Sequence, residues 1–115
     1  MGGDSQPQIL LQLLWRVLVG HEQIGDAVSA PRFVLSNTKE RSGFATWAEG
    51  GTLEVQLEEG APLDWEDGLR ARGHLVAPVR PVGHGFGHAH AISLSGDHLE
   101  GASDPRSLAG AVAGY

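Results

Sequence analysis

The run from Ile9 to Val19 is apolar at every position except Gln12 and Arg16, and it constrains the fold more than any other stretch. A run of this length forms about three turns of α-helix, and Gly20 directly after it is a typical helix stop. A helix that is apolar on nearly every side belongs in the interior of a larger structure. The sequence therefore predicts a buried first helix that needs partner surfaces around it.

A glycine pair, Gly2 and Gly3, lies directly before this helix. Glycine has no side chain to block an approaching group, so its backbone N–H can face that group. Asp4 or Ser5 can cap the helix, and the N-terminus of a helix favours an anion. A glycine pair alone is more typical of a flexible terminus, but this position favours an anion pocket. Such amides would stabilise a developing oxyanion in acyl transfer, by roughly 3 kcal/mol per donor.

Composition bounds the class of protein. With 115 residues the chain is one domain at most, and its net charge of −6 argues against a nucleic-acid partner. It contains no cysteine, which excludes disulfides and thiolate zinc sites. The apolar run is too short to span a bilayer and lacks the features of a signal peptide. We therefore expect no membrane partner, and the compartment stays open between cytoplasm and periplasm.

The remaining pattern predicts an α+β fold in which helices are followed by antiparallel strands. Ile24, Ala27 and Val28 mark one face of a second helix. Gly50-Gly51 is a strong hairpin signal between two strand candidates. The predicted elements after the first helix are a helix over 21–30, strands over 44–49 and 52–57, a helix over 62–72, and strands over 74–79, 85–94 and 98–102.

Three histidines suggest a metal site, since His84, His88 and His90 lie close together and the last two share one face of a predicted strand. No carboxylate accompanies them at ligand spacing, so we expect no metal and no cofactor. The serines offer no better site, because none lies in a G-x-S-x-G elbow. Arg32 and Arg106 both follow a proline, and we interpret them as structural, with Asp104 bracing the turn at Arg106.

Four stretches in register resemble the gamma-glutamyltranspeptidases (glutathione hydrolases), specifically the C-terminal part of the small subunit. The resemblance runs from Gly2 to Tyr115. The matching stretches are Gly2-Gly3 with Gln8-Ile9-Leu10, Ala30-Pro31-Arg32-Phe33, Leu69 with Arg72-Gly73-His74-Leu75-Val76, and Gly101-Ala102-Ser103-Asp104-Pro105-Arg106 with Gly114-Tyr115.

The resemblance implies an N-terminal nucleophile hydrolase with an αββα sandwich, of which residues 1–115 would be a single incomplete domain. In that family a threonine, freed by self-cleavage, attacks a gamma-glutamyl amide, and the glutamyl group passes to water or to an amine. The glycine pair supplies the oxyanion-hole amides, so the resemblance assigns Gly2 and Gly3 as catalytic. It also implies gamma-glutamyl substrates such as glutathione.

The family's nucleophilic threonine and its substrate-holding residues lie upstream of the glycine pair, so we expect this chain to be inactive alone. Its expected partner is the missing N-terminal part of the enzyme, meaning the large subunit and the start of the small subunit. One alternative is a non-catalytic fragment or module that binds another polypeptide through the apolar face between Leu10 and Val19. Another is a related amidohydrolase that acts on glutaryl side chains of cephalosporins.

Overall fold

A computed structural model describes residues 5–39, 50–81 and 85–114. Two helices come first, followed by two strands, a third helix and three more strands, and the described residues from 104 onward are irregular. The helices and strands are α1 (Gln6–Leu18), α2 (Ile24–Ser29), β1 (Phe33–Asn37), β2 (Leu53–Glu58), α3 (Leu63–Ala71), β3 (Leu75–Arg80), β4 (His90–Ser95) and β5 (His98–Ser103). This arrangement confirms the predicted α+β class.

The described strands form two separate sheets, one with the order β1-β2-β3 and the other with the pair β4-β5. β1 is antiparallel to β2, and β4 is antiparallel to β5. The predicted antiparallel arrangement is thus confirmed for these two pairs, whereas β2 and β3 are parallel. The reason is α3, which connects β2 to β3 as a crossover and returns the chain to the end where β2 began.

Three clusters of buried side chains join these elements. Ile9 of α1 packs with Val34 and Phe86, and Leu13, one turn further along α1, packs in a second cluster. This second cluster contains Leu13, Ile24, Ala27, Val28 and Ala102, which confirms the predicted apolar face of α2. The third cluster, Val55, Leu57 and Val76, lies between the sheet and α3.

The predicted strand over 85–94 is shorter than expected and begins only at His90. Gly85 and Gly87 have φ angles of 83° and 66°, which are left-handed conformations that interrupt a strand. His88 therefore precedes the strand and does not share a strand face with His90. The other predicted strand, over 44–49, lies outside the described residues, and the antiparallel neighbour of β2 is β1.

One face of α1 is apolar and exposed. The exposed fraction is 66% for Leu11, 63% for Trp15 and 65% for Leu18. These side chains belong to the run predicted to need partner surfaces, whereas only Ile9 and Leu13 of the helix are buried. Within the described part of the chain, no helix combines the length and the apolar character needed to cross a membrane.

Candidate functional site

The two residues assigned to catalysis, Gly2 and Gly3, lie outside the described residues, which begin at Ser5. Ser5 is buried, and α1 starts directly after it with Pro7 in its first turn. Proline is tolerated there because the first N–H groups of a helix have no intrahelical acceptor. The described geometry therefore shows how α1, the helix that follows the glycine pair in the sequence, is fixed to the rest of the fold.

Two glutamines of α1 bind the backbone of β1. The Leu35 N–H donates to Gln8 Oε1 at 2.8 Å, and Gln8 Nε2 donates to the Leu35 carbonyl at 3.0 Å. The Phe33 N–H donates to Gln12 Oε1 at 3.0 Å, and Gln12 Nε2 donates to the Phe33 carbonyl at 2.8 Å. Each side-chain amide thus pairs with one residue of the strand through two hydrogen bonds. In the sequence Gln12 was only an interruption of an apolar run, and nothing there indicated these contacts.

A buried cluster of four charged side chains, Arg32, Glu58, Asp104 and Arg106, joins α2, β2 and the turn after β5. Arg32 Nη2 donates to Asp104 Oδ2 at 2.6 Å. Arg106 donates to both carboxylate oxygens of Glu58 at 2.6 Å, and also to Asp104 Oδ1 at 3.0 Å. Glu58 is 0% exposed and Asp104 is 1% exposed. The two positive and two negative charges balance, which is the condition for burying them at tolerable cost.

The two arginines also donate hydrogen bonds to backbone carbonyls. Arg32 donates to the carbonyls of Val28, Phe86 and Gly87, and Arg106 donates to those of Val28 and Ala30. The structural interpretation of both arginines is therefore confirmed, as is the turn at Arg106, whose N–H donates to Asp104. Glu58 was missed in the sequence, because its partner lies 48 residues away.

The environment of Asp104 lowers its pKa to about 2. Burial acts in the opposite direction and would raise this pKa, but hydrogen bonds from the N–H groups of Ala89 and Arg106 and from the two guanidinium groups outweigh it. The same cluster raises the pKa of Arg106: burial lowers it, but Glu58 and Asp104 more than offset that effect. Asp104 and Arg106 are therefore both charged at neutral pH.

This pKa predicts an acid-sensitive contribution to stability. An aspartate with a depressed folded-state pKa stabilises the fold above its unfolded pKa of about 3.9, and that contribution disappears as the pH falls through the folded value. We expect the stability difference between the wild type and Asp104→Asn to shrink by about 2 kcal/mol between pH 5 and pH 2. Urea unfolding at four pH values measures it, and a difference that stays constant would contradict the assignment.

No group of three or more histidine, aspartate or glutamate side chains that could bind a metal ion occurs within 5–39, 50–81 and 85–114. His84 lies outside these ranges. His88 and His90 lie on different elements of the backbone, because the strand starts at His90. The prediction that His88 and His90 share one face of a strand is therefore wrong.

Comparison with known proteins gives a consistent result. The family model described as gamma-glutamyltranspeptidase matches residues 1–115, the whole chain. The oxamate amidohydrolase proenzyme of Klebsiella pneumoniae is 34% identical over 116 residues, which is all of this chain and 20% of that protein. The chain thus spans about one fifth of the length of this curated relative.

Solved structures share the fold. A gamma-glutamyltranspeptidase of Pseudomonas nitroreducens is 24% identical, with a TM-score of 0.65 over 93% of this chain and 49% of that one. A variant of the Helicobacter pylori gamma-glutamyltranspeptidase is 25% identical, with a TM-score of 0.61 over 88% of this chain and 48% of that one. With the family match over its full length, this chain belongs to the gamma-glutamyltranspeptidase family.

Proposed function

We propose that this chain is the C-terminal segment of a gamma-glutamyltransferase or glutathione hydrolase, in which Gly2 and Gly3 supply oxyanion-hole amides for the cleavage and transfer of gamma-glutamyl groups. The observation that carries the proposal is the family match over residues 1–115, which includes the glycine pair. The anchoring of α1 supports it, because the helix after the glycines is bound to the sheet through Gln8 and packed through Ile9.

The chemistry assigned to the glycines is electrostatic. A threonine oxygen from the preceding part of the enzyme attacks the amide carbon, and the electron pair of the C=O bond moves to its oxygen. Backbone N–H groups that already face this oxygen stabilise its charge, and they cost no reorganisation when the charge forms. The intermediate then collapses with loss of the amine, and water or an acceptor amine removes the glutamyl group through a second tetrahedral oxyanion.

Activity is expected to need more polypeptide than this chain. The purified chain should give no turnover of gamma-glutamyl-p-nitroanilide, whereas the chain co-expressed with the polypeptide encoded upstream should release p-nitroaniline. The physical reason is that the nucleophile and the glutamate-binding residues are expected upstream. Release of p-nitroaniline by the isolated chain at a rate comparable to that of the co-expressed form would contradict this division of the site.

A related amide is the second candidate substrate. The relative from Klebsiella pneumoniae is an oxamate amidohydrolase proenzyme at 34% identity, and amide cleavage through the same oxyanion would serve either substrate. Parallel assays of the co-expressed enzyme with oxamate and with gamma-glutamyl-p-nitroanilide distinguish the two. Selective cleavage of oxamate would keep the oxyanion role of the glycines and replace the gamma-glutamyl substrate class.

The non-catalytic alternative is favoured by the exposed apolar face of α1, on which Leu11, Trp15 and Leu18 are each more than 60% exposed. Such a face is typical of a surface that binds another polypeptide. Size-exclusion chromatography with light scattering tests it on the isolated chain. A stable monomer would remove the need for a partner, and a tight complex without amidase activity would favour the binding module over the enzyme.

A further inference from the structure

The outer edge of β1 is occupied by side chains of a helix. The Arg32 carbonyl, just before β1, accepts from the Glu58 N–H of β2. Successive residues of a strand direct their backbone groups to opposite edges, so Phe33 and Leu35 direct theirs away from β2. These are the two residues that Gln12 and Gln8 bind.

The spacing of the two glutamines matches the repeat of the strand. Four residues of an α-helix advance about 6 Å along its axis, and two residues of a strand advance about 6.6 Å. Gln8 pairs with Leu35 and Gln12 with Phe33, so α1 runs antiparallel to β1 along this edge. A slip of α1 by one residue would carry both amides about 1.5 Å out of register and turn them about 100° around the helix. All four hydrogen bonds would then be lost together.

The buried residues of α1 sit beside these two positions. Ile9 and Leu13 each follow one of the glutamines by one residue, and they pack into separate clusters of the core. Apolar packing is non-directional and tolerates small shifts along a surface, whereas a doubly hydrogen-bonded amide requires distances near 2.9 Å and nearly linear geometry. The core therefore sets which face of α1 is buried, and the glutamines select its position along the strand.

We infer that Gln8 and Gln12 are positioning residues that fix the register of α1 on the outer edge of β1, and that this register supports the activity proposed for the glycine pair that precedes α1 in the sequence. The functional half of this inference rests on the proposed function. A displacement of a catalytic donor by about 1 Å can cost roughly 100-fold in rate. Loss of the register should therefore reduce kcat rather than substrate binding.

The experiment uses the co-expressed enzyme with the variants Gln8→Met and Gln12→Met, alone and combined. Methionine is close in length to glutamine and favours helix, but it cannot pair with the backbone. Gln6→Met is the matched control, since Gln6 is an exposed glutamine of the same helix. The first measurement is hydrogen–deuterium exchange of a peptide that covers β1. The second is kcat and KM with gamma-glutamyl-p-nitroanilide.

The double variant is expected to speed exchange at Phe33 and Leu35 by at least about tenfold, because their N–H groups lose their acceptors. Its kcat should fall by about 100-fold with KM changed less than about threefold, and Gln6→Met should change neither. Unchanged exchange would overturn the register function. Faster exchange with unchanged kcat would overturn the positioning function. An inactive wild-type enzyme would overturn the proposed function and the positioning with it, while the exchange result still decides the register.

Discussion

Glu58→Gln is expected to lower the free energy of unfolding by about 3–5 kcal/mol, because the buried Arg32 and Arg106 then share only the negative charge of Asp104. In the wild type, both carboxylate oxygens of Glu58 accept from Arg106 at 2.6 Å. Glutamine preserves the shape and one acceptor, but it removes the charge and turns an NH₂ group toward a guanidinium. The buried cluster with Arg32 and Asp104 then carries a net positive charge, and urea unfolding of the assembled protein measures the loss.

The matched control is Glu66→Gln. Glu66 accepts from Arg70 at the same distance of 2.6 Å, but the two side chains are 40% and 53% exposed. Water solvates each partner when the other is removed, so this exposed i, i+4 pair should contribute only about 0.3–0.5 kcal/mol. Equal losses from the two substitutions would show that burial gives the Glu58 pair no special weight.

Gly3→Pro is expected to reduce kcat of the co-expressed enzyme by about 10²–10³-fold, because proline has no backbone N–H to donate to the oxyanion. Hydrolysis and transfer both pass through a tetrahedral oxyanion, so both rates should fall by the same factor. The ratio of glutamate to transfer product at a fixed acceptor concentration should therefore stay constant. Release of p-nitroaniline and chromatographic analysis of the products measure the two effects.

Two variants serve as controls for this substitution. Gly3→Ala retains the N–H and should lose less activity than Gly3→Pro. Gly25→Ala tests a glycine of α2 where an added Cβ meets nothing within 4 Å, and it should leave kcat unchanged. If Gly3→Pro retained the activity of Gly3→Ala, the amide of this residue would have no catalytic function, and the oxyanion hole would have to be sought elsewhere.

Local signals predicted much of the fold. The helical spacing of Ile24, Ala27 and Val28 identified the buried face of α2, because a helix buries residues one turn apart whatever surrounds it. The helix predicted over 62–72 corresponds to α3, and Gly73, with a φ of 86°, follows it as glycine commonly follows a helix. Pro78 lies in the strand predicted over 74–79, proline is confined to edge strands because it cannot donate to a neighbour, and β3 is an edge strand of its described sheet.

Non-local contacts could not be predicted in the same way. Arg32 and Asp104 are 72 residues apart, and no periodicity in the sequence connects them. The parallel pairing of β2 with β3 depends on how α3 packs across the sheet, which the alternation of apolar residues within each strand does not encode. Gly85 and Gly87 fall within the strand predicted over 85–94, and only their positive φ angles show that the backbone is not extended there.

The family resemblance named a catalytic role for Gly2 and Gly3, whereas the described residues begin only at Ser5. The structure shows that Gln8 and Gln12 attach α1 to β1. The sequence did not predict these contacts, because glutamine is an ordinary residue in helices. The four-residue spacing of Gln8 and Gln12 lets both side chains bind β1 only because a free strand edge lies beside the helix. The catalytic role of Gly2 and Gly3 therefore stays a prediction, and the attachment of α1 to β1 could not be predicted from the sequence.

The buried ion cluster also constrains when the protein can fold during synthesis. Arg32 and Glu58 leave the ribosome before either of their partners, and Arg106 comes 48 residues after Glu58. At about 5–20 residues per second, that interval lasts roughly 2–10 s. Until it ends, Arg32 and Glu58 lack the charges of Asp104 and Arg106. The contacts of Arg106 with Glu58, Val28 and Ala30 can therefore form only after this interval, and the closing of the cluster comes late in synthesis.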